Sequence, residues 1–160
     1  MPARKFLIVD DSEDDQFFLE RELKKALPRS SIVGIVGDGE AAVEYLNGAG
    51  RFADRALFPL PDVMLLDLKM PRMNGFDVLR WLRLQNLNEL MVIVVSSSIL
   101  MDDVQTARAL GAQHYVVKEL PLDTAAAIAQ IVQKRYKSET PEPVCIQPFL
   151  VHPSSIQPLS

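Results

Sequence analysis

A chain of 160 residues with 48% hydrophobic and 24% charged content holds enough apolar material for the core of one globular domain and no call for two. Its formal charge of −4 argues against a general nucleic-acid binder, and Cys145, the only cysteine, excludes an intrachain disulfide and a cysteine-based metal cluster. No apolar run approaches the roughly 20 residues that span a bilayer, and "MPARKFLIVDD" is too short of apolar residues for a secretory signal, so the expected location is the cytoplasm, without membrane insertion or direct nucleic-acid contact.

In chain order, the first strand is Phe6 to Val9, followed by an apolar helical stripe of Phe17, Phe18, Leu19, Leu23 and Leu27 that Pro28 stops. The second strand, Ser31 to Val36, runs into "GDG" and a helix carrying Ala41, Ala42, Val43, Tyr45 and Leu46, which ends near Asn47-Gly48. The segment from Gly48 to Asp62 mixes Arg51, Phe52, Arg55 and Phe58 with Pro59 and Pro61 and reads as an ordered loop or short turn. The third strand, Val63 to Leu66, precedes a helix with Phe76, Val78, Leu79, Leu82 and Leu84, in which Trp81 is a packing residue. The fourth strand, Met91 to Val95, precedes a helix with Val104, Ala107, Ala109 and Leu110, closed by Gly111 as a C′ residue. The fifth, His114 to Val117, precedes a helix from about Leu122 to Lys137 with Ala126, Ile128, Ala129, Ile131 and Val132.

The strands are nearly continuous apolar runs, as in sheets covered on both faces. Their strict alternation with amphipathic helices implies an α/β fold with a parallel sheet and right-handed crossovers. In such a sheet the working site lies beyond the carboxyl ends of the strands. Those ends carry Asp10 and Asp11 after the first strand, Asp67 after the third, Ser96 after the fourth and Lys118 after the fifth. Gathered carboxylates repel unless something offsets them, and an all-oxygen set without supporting His or Cys suits Mg²⁺. Lys118 supplies a cation on a long stem and Ser96 a hydroxyl, and this combination around one carboxylate suits phosphoryl transfer.

The stretches "LIVDDSEDD", "LLDLKMPRMNGFDVL", "VVSSS" and "YVVK", in that order and each at a strand end, resemble the receiver domain of two-component response regulators over about Lys5 to Lys137. The resemblance implies a doubly wound (βα)5, flavodoxin-like three-layer sandwich whose five-stranded parallel sheet runs in the order 2-1-3-4-5. It implies that Asp67 is the phosphoacceptor, supplied by the phosphohistidine of a sensor histidine kinase or by a phosphotransfer protein. It further implies that Mg²⁺ is held by Asp10, Asp11, Asp67 and the backbone carbonyl of Lys69, Asp11 more directly than Asp10. Lys118 would pair with the acyl phosphate and Ser96 would hydrogen-bond to it. Tyr115 would be the aromatic switch, turning inward as Ser96 moves.

Plainer readings exist beside these. Glu13, Asp14 and Asp15 read as acids that favour the first turn of a helix. Ser97 and Ser98 leave the choice of hydroxyl open by one position, although Ser96 has the family's spacing to Lys118. Tyr115 could be only a half-buried strand aromatic, and His114 is expected exposed and not a metal ligand. The chain also departs from the family: "KELP" puts Glu119 where a proline usually follows the lysine, and the long connection before the third strand resembles that of stand-alone receivers serving phytochrome-type kinases. Residues 1–137 are read as the receiver and 138–160, with five prolines, as a tail without an output domain. That tail would pack along its own domain or across a homodimer, and its prolines equally suit a frayed end.

The reading is therefore a stand-alone phosphorylation switch, not an enzyme acting on metabolites. One rival is a receiver-like interaction module without phosphorylation. The other is a Mg²⁺ phosphatase with an aspartyl nucleophile, which would want an acid where Lys69 stands.

Overall fold

Each apolar run becomes a strand, and each amphipathic stretch between them a helix. In the computed structural model, which describes residues 3–137 and 150–151, the order is β1 (Lys5–Val9), α1 (Glu13–Ala26), β2 (Ser31–Val36), α2 (Gly39–Asn47), a turn of 3-10 helix at Gly50–Phe52, β3 (Val63–Leu66), α3 (Gly75–Leu82), β4 (Met91–Ser96), α4 (Met101–Ala109), β5 (His114–Val117) and α5 (Pro121–Lys137). The strands pair in parallel in the expected order β2-β1-β3-β4-β5, and a two-residue strand, β6 (Leu150–Val151), adds itself in parallel to the far side of β5. That pairing sets the backbone of Leu150 beside Tyr115. The rest of the tail, Cys145 included, lies outside the described residues.

Side chains alternate across a strand, so every strand serves two cores. Leu7, Val9, Met64, Leu66, Val92 and Val94 meet Ala42, Tyr45, Val78, Leu79, Val104 and Ala107 of α2, α3 and α4. Phe6, Ile8, Leu65, Ile93 and Val95 meet Leu19, Leu23, Ala125, Ile128 and Val132 of α1 and α5. Full burial of such side chains is worth about 1.5–3 kcal/mol each.

The helix ends follow from their sequences. Ser12 caps α1, and Asn74 with Asp77 forms a reciprocal capping box on α3. Gly111, at φ 99°, closes α4 as expected: its N–H bonds to Arg108 and that of Ala112 to Ala107, the paired pattern of a left-handed helix stop. The connection after α2 is ordered, as read. Phe52 and Phe58 pack with Tyr45, with ring centroids 5.0–6.0 Å apart, and the Arg55 guanidinium donates to the carbonyls of Tyr45, Leu46 and Phe58.

Several side-chain expectations need correction. Phe17 and Phe18 are exposed: the core face of α1 is set by Leu19 and Leu23, and Phe17 lies about half a turn away. Leu84 falls beyond the end of α3 and is exposed, and on α5 Ala125 and Ala127 are buried where Ala126 is exposed. His114 is half-buried instead of exposed; its Nδ1 is shielded with no hydrogen-bond partner among the described residues, and burial, helped by the charge of Arg135, holds its pKa below the ordinary value. Tyr115 is fully buried rather than half-buried.

Candidate functional site

Asp10, Asp67 and Lys118 are placed by one device. Each is the residue just past a strand and still makes one more ladder bond: Asp10 N–H to Val36 O at 3.0 Å, Asp67 N–H to Val9 O at 2.9 Å and Lys118 N–H to Ser96 O at 2.8 Å. Their side chains are therefore aimed from the rigid edge of the sheet. Past Asp67 the chain must turn sharply, and the buried Leu68 and Met70 anchor that turn. Gly75 then returns directly over the strand end, with its N–H on Leu68 O at 3.0 Å, so close that a Cβ would lie 2.2 Å from the Asp67 carbonyl oxygen.

The result is a buried cluster of opposite charges. Asp10 and Asp67 are only 3% and 7% exposed, whereas Asp11 is exposed, and one carboxylate oxygen from each of the three lies within 4.8 Å of the others. Lys118 Nζ donates to Asp10 Oδ2 at 2.7 Å, Asp15 Oδ2 at 3.1 Å and Asp67 Oδ2 at 3.4 Å. Asp10 Oδ1 accepts the Ser12 N–H at 3.0 Å, and Asp67 Oδ1 accepts the Lys69 N–H at 3.4 Å. The Lys69 side chain is exposed.

The ionisations reflect this crowding. Burial pushes the Asp67 carboxyl above its ordinary pKa; Lys118 pulls the other way, and the Asp10 charge adds to the rise. Burial alone would lower Lys118, but its hydrogen bond to Asp10 and the charges of Asp67 and Asp10 outweigh it and hold the ammonium well above its usual range. One lysine thus stays charged among carboxylates that it does not fully neutralise. An all-oxygen donor set with residual negative charge fits a hard divalent cation.

Ser96 ends β4 almost wholly buried, and the N–H of Ser98 donates to its Oγ at 3.2 Å. The Tyr115 hydroxyl donates to the Ser98 carbonyl at 2.9 Å, so the ring lies inward, and burial raises the phenol's pKa. The two switch candidates therefore share Ser98 as a partner, and a hydrogen bond with Ser96 works against the rise in the phenol's pKa. In the "KELP" step, where every described peptide bond is trans, the Glu119 N–H is taken by Thr124 Oγ1 at 3.1 Å.

Sequence reasoning missed two residues here. Asp15 reads as a helix-start acid, and its N–H does bond to the Ser12 cap at 3.3 Å, yet its carboxylate reaches Lys118. The signal was the Ser12-x-x-Asp15 spacing, which puts the acid in the first turn beside the strand ends. Ser98 reads in the sequence as an alternative hydroxyl to Ser96, not as a junction.

Residues 6–131 match the family profile described as the response regulator receiver domain. The chain is 29% identical over 134 residues to response regulator Rcp1 of Synechocystis sp., covering 82% of this chain and 88% of that protein. The Mn²⁺-bound form of Rcp1 is similar in structure with a TM-score of 0.65 at 27% identity, over 88% of this chain and 99% of that one. The phosphorylated cyanobacterial phytochrome response regulator RcpA gives a TM-score of 0.72 at 27% identity, over 88% and 99% of the two chains. Response regulator RPA3017, in red light signaling of R. palustris, gives 0.73 at 32% identity, over 83% and 92%.

Proposed function

The chain belongs to the response regulator receiver domain family, and on that footing we propose that it is a stand-alone phosphorylation switch of the cytoplasm, with Asp67 as the phosphoacceptor. The observation that carries this reading is the Lys118 ammonium shared between Asp67 and Asp10 at the buried edge where three carboxylates converge.

In the proposed reaction an Asp67 oxygen attacks phosphorus, the new P–O bond forms as the P–N bond of a donor phosphohistidine breaks, and the imidazole leaves with the electron pair. Lys118 stands where it can pair with the added phosphoryl oxygens and offset charge as it develops. The Ser96 hydroxyl donates to one of those oxygens afterwards. Asp10, Asp11, Asp67 and the Lys69 carbonyl would hold Mg²⁺, which supplies charge neutralisation between carboxylate and phosphoryl group. Both Asp10 oxygens already have partners in Ser12 and Lys118, which supports Asp11 as the more direct ligand. The same groups would favour the return hydrolysis, so the chain assists its own phosphorylation and dephosphorylation without acting on metabolites.

The names of its relatives point to a phytochrome-type sensor histidine kinase, or a phosphotransfer protein, as the donor. The output is a changed surface around Ser96 and Tyr115 on residues 1–137, read by a partner protein or a second copy. Incubation with acetyl phosphate and Mg²⁺, followed by intact-protein mass spectrometry, should add one phosphoryl group to the parent protein and none to Asp67→Asn. Equal labelling of the two would overturn the assignment.

A further inference from the structure

Lys118 has no N–H to spare. An ammonium offers three donors, and here they go to Asp10 at 2.7 Å, Asp15 at 3.1 Å and Asp67 at 3.4 Å, so the bond to Asp67 is the longest of the three. Asp10 and Asp67 are buried, whereas the Asp15 side chain is 49% exposed, and water can take the place of Lys118 on Asp15 far more readily than on the other two. The first turn of α1 keeps Asp15 in reach: Ser12 Oγ accepts the Asp15 N–H at 3.3 Å, and the Gln16 side-chain amide donates to the Asp10 carbonyl. Among the described residues, Glu13 and Asp14 share that acidic turn without an ion pair to Lys118.

We infer that Asp15 is a positioning residue that restrains Lys118: it holds one N–H of the ammonium away from Asp67 until added phosphoryl oxygens claim it. The inference rests on the reading of Asp67 as the phosphoacceptor. When a phosphoryl group arrives, its oxygens need a donor from Lys118, and one existing bond must yield. The bond to Asp10 is the shortest, and breaking it would leave a buried carboxylate short of a partner. The bond to Asp15 yields at least cost, because that carboxylate turns to water. Asp15 therefore favours the unphosphorylated state and slows the transfer, in which Lys118 must offset developing charge. Its removal leaves Lys118 anchored on Asp10 and able to move toward Asp67.

The test follows labelling of the full chain by acetyl phosphate in excess Mg²⁺ with intact-protein mass spectrometry. Asp15→Ala should be labelled about two- to fivefold faster than the parent, the scale set by the loss of one partly exposed ion pair. Asp14→Ala, which removes the same charge from the same turn, should label at nearly the parental rate. A role confined to starting α1 predicts no gain in either. Circular dichroism checks that each variant is folded, and Asp15→Asn repeats the measurement with a side chain of the same shape. An Asp15→Ala rate at or below the parent's, or an equal gain in Asp14→Ala, overturns the inference. A second measurement needs no phosphoryl group: in EDTA, urea melts should show Asp67→Asn adding less stability to Asp15→Ala than to the parent, because Lys118 already serves Asp67 better there. An undiminished effect also overturns the role of Asp15. If the parent takes up no more label than Asp67→Asn, the phosphoacceptor reading fails, and the urea melts alone decide the role of Asp15.

Discussion

At the scale of single residues, Asp67 is a charge that the metal-free fold holds at a loss. Burial, opposed by Lys118 and reinforced by Asp10, raises its folded pKa above that of the unfolded chain. A carboxyl shifted in that direction contributes stability that is fully present below its unfolded pKa and is lost as pH rises through the folded value. At neutral pH the ionised group is therefore a net cost. Asp67→Asn in EDTA should raise the unfolding free energy at pH 7 by about 0.5–2 kcal/mol, the usual size of a single stabilising substitution. Urea melts at falling pH should show that gain shrinking, because protonated Asp67 and Asn are alike in charge. A variant less stable than the parent at pH 7 would mean that Lys118 and the backbone donors outweigh burial.

At the scale of elements, the turn from β3 to α3 decides where Asp67 points, and its tightest contact is at Gly75. The atoms a Cβ would meet, the Asp67 carbonyl oxygen at 2.2 Å and Leu68 Cα at 2.8 Å, are backbone and cannot swing aside. Gly75→Ala should cost about 3 kcal/mol, the upper end for overpacking, and slow labelling of Asp67 by acetyl phosphate. Gly50, the first residue of the 3-10 turn, at φ 56° with open space around it, is the control: Gly50→Ala should cost about 1 kcal/mol through its left-handed backbone alone. Equal costs in urea melts would deny that the close approach matters. Strands and helices were legible in the sequence because Val, Ile and Leu runs buried on both faces leave nothing else for those segments to do. Which helical apolar residues face inward was less legible. Phe17 and Phe18 adjoin Leu19 in sequence but diverge around the helix, and spacing alone did not say that Leu19 and Leu23 set the core face. Asp15 and Ser98 were hidden for another reason: their roles depend on contacts with Lys118 and Asp103 that bring distant or unremarked side chains together. Nor does a two-residue strand such as Leu150–Val151 carry any period to read.

At the scale of the whole molecule, parallel pairing brings the carboxyl ends of β1, β3, β4 and β5 to one edge, so the site exists only while the sheet does. Carboxylates within 4.8 Å of one another in the fold are scattered in the unfolded chain, and a cation that binds them must bind the folded state in preference. Linkage then sets the size of the effect: Mg²⁺ at a hundredfold excess over its Kd should add about 2.7 kcal/mol. For a chain of this length each kcal/mol moves the melting midpoint by about 2–4 °C, so the expected rise is several degrees and should follow the logarithm of the Mg²⁺ concentration once the site fills. Asp11→Asn should abolish most of that rise while leaving the metal-free midpoint nearly unchanged, because Asp11 is exposed and its loss opens no cavity. A rise that persists undiminished in Asp11→Asn, or one that K⁺ at matched ionic strength reproduces, would place the cation elsewhere or reduce it to general screening of the chain's negative charge.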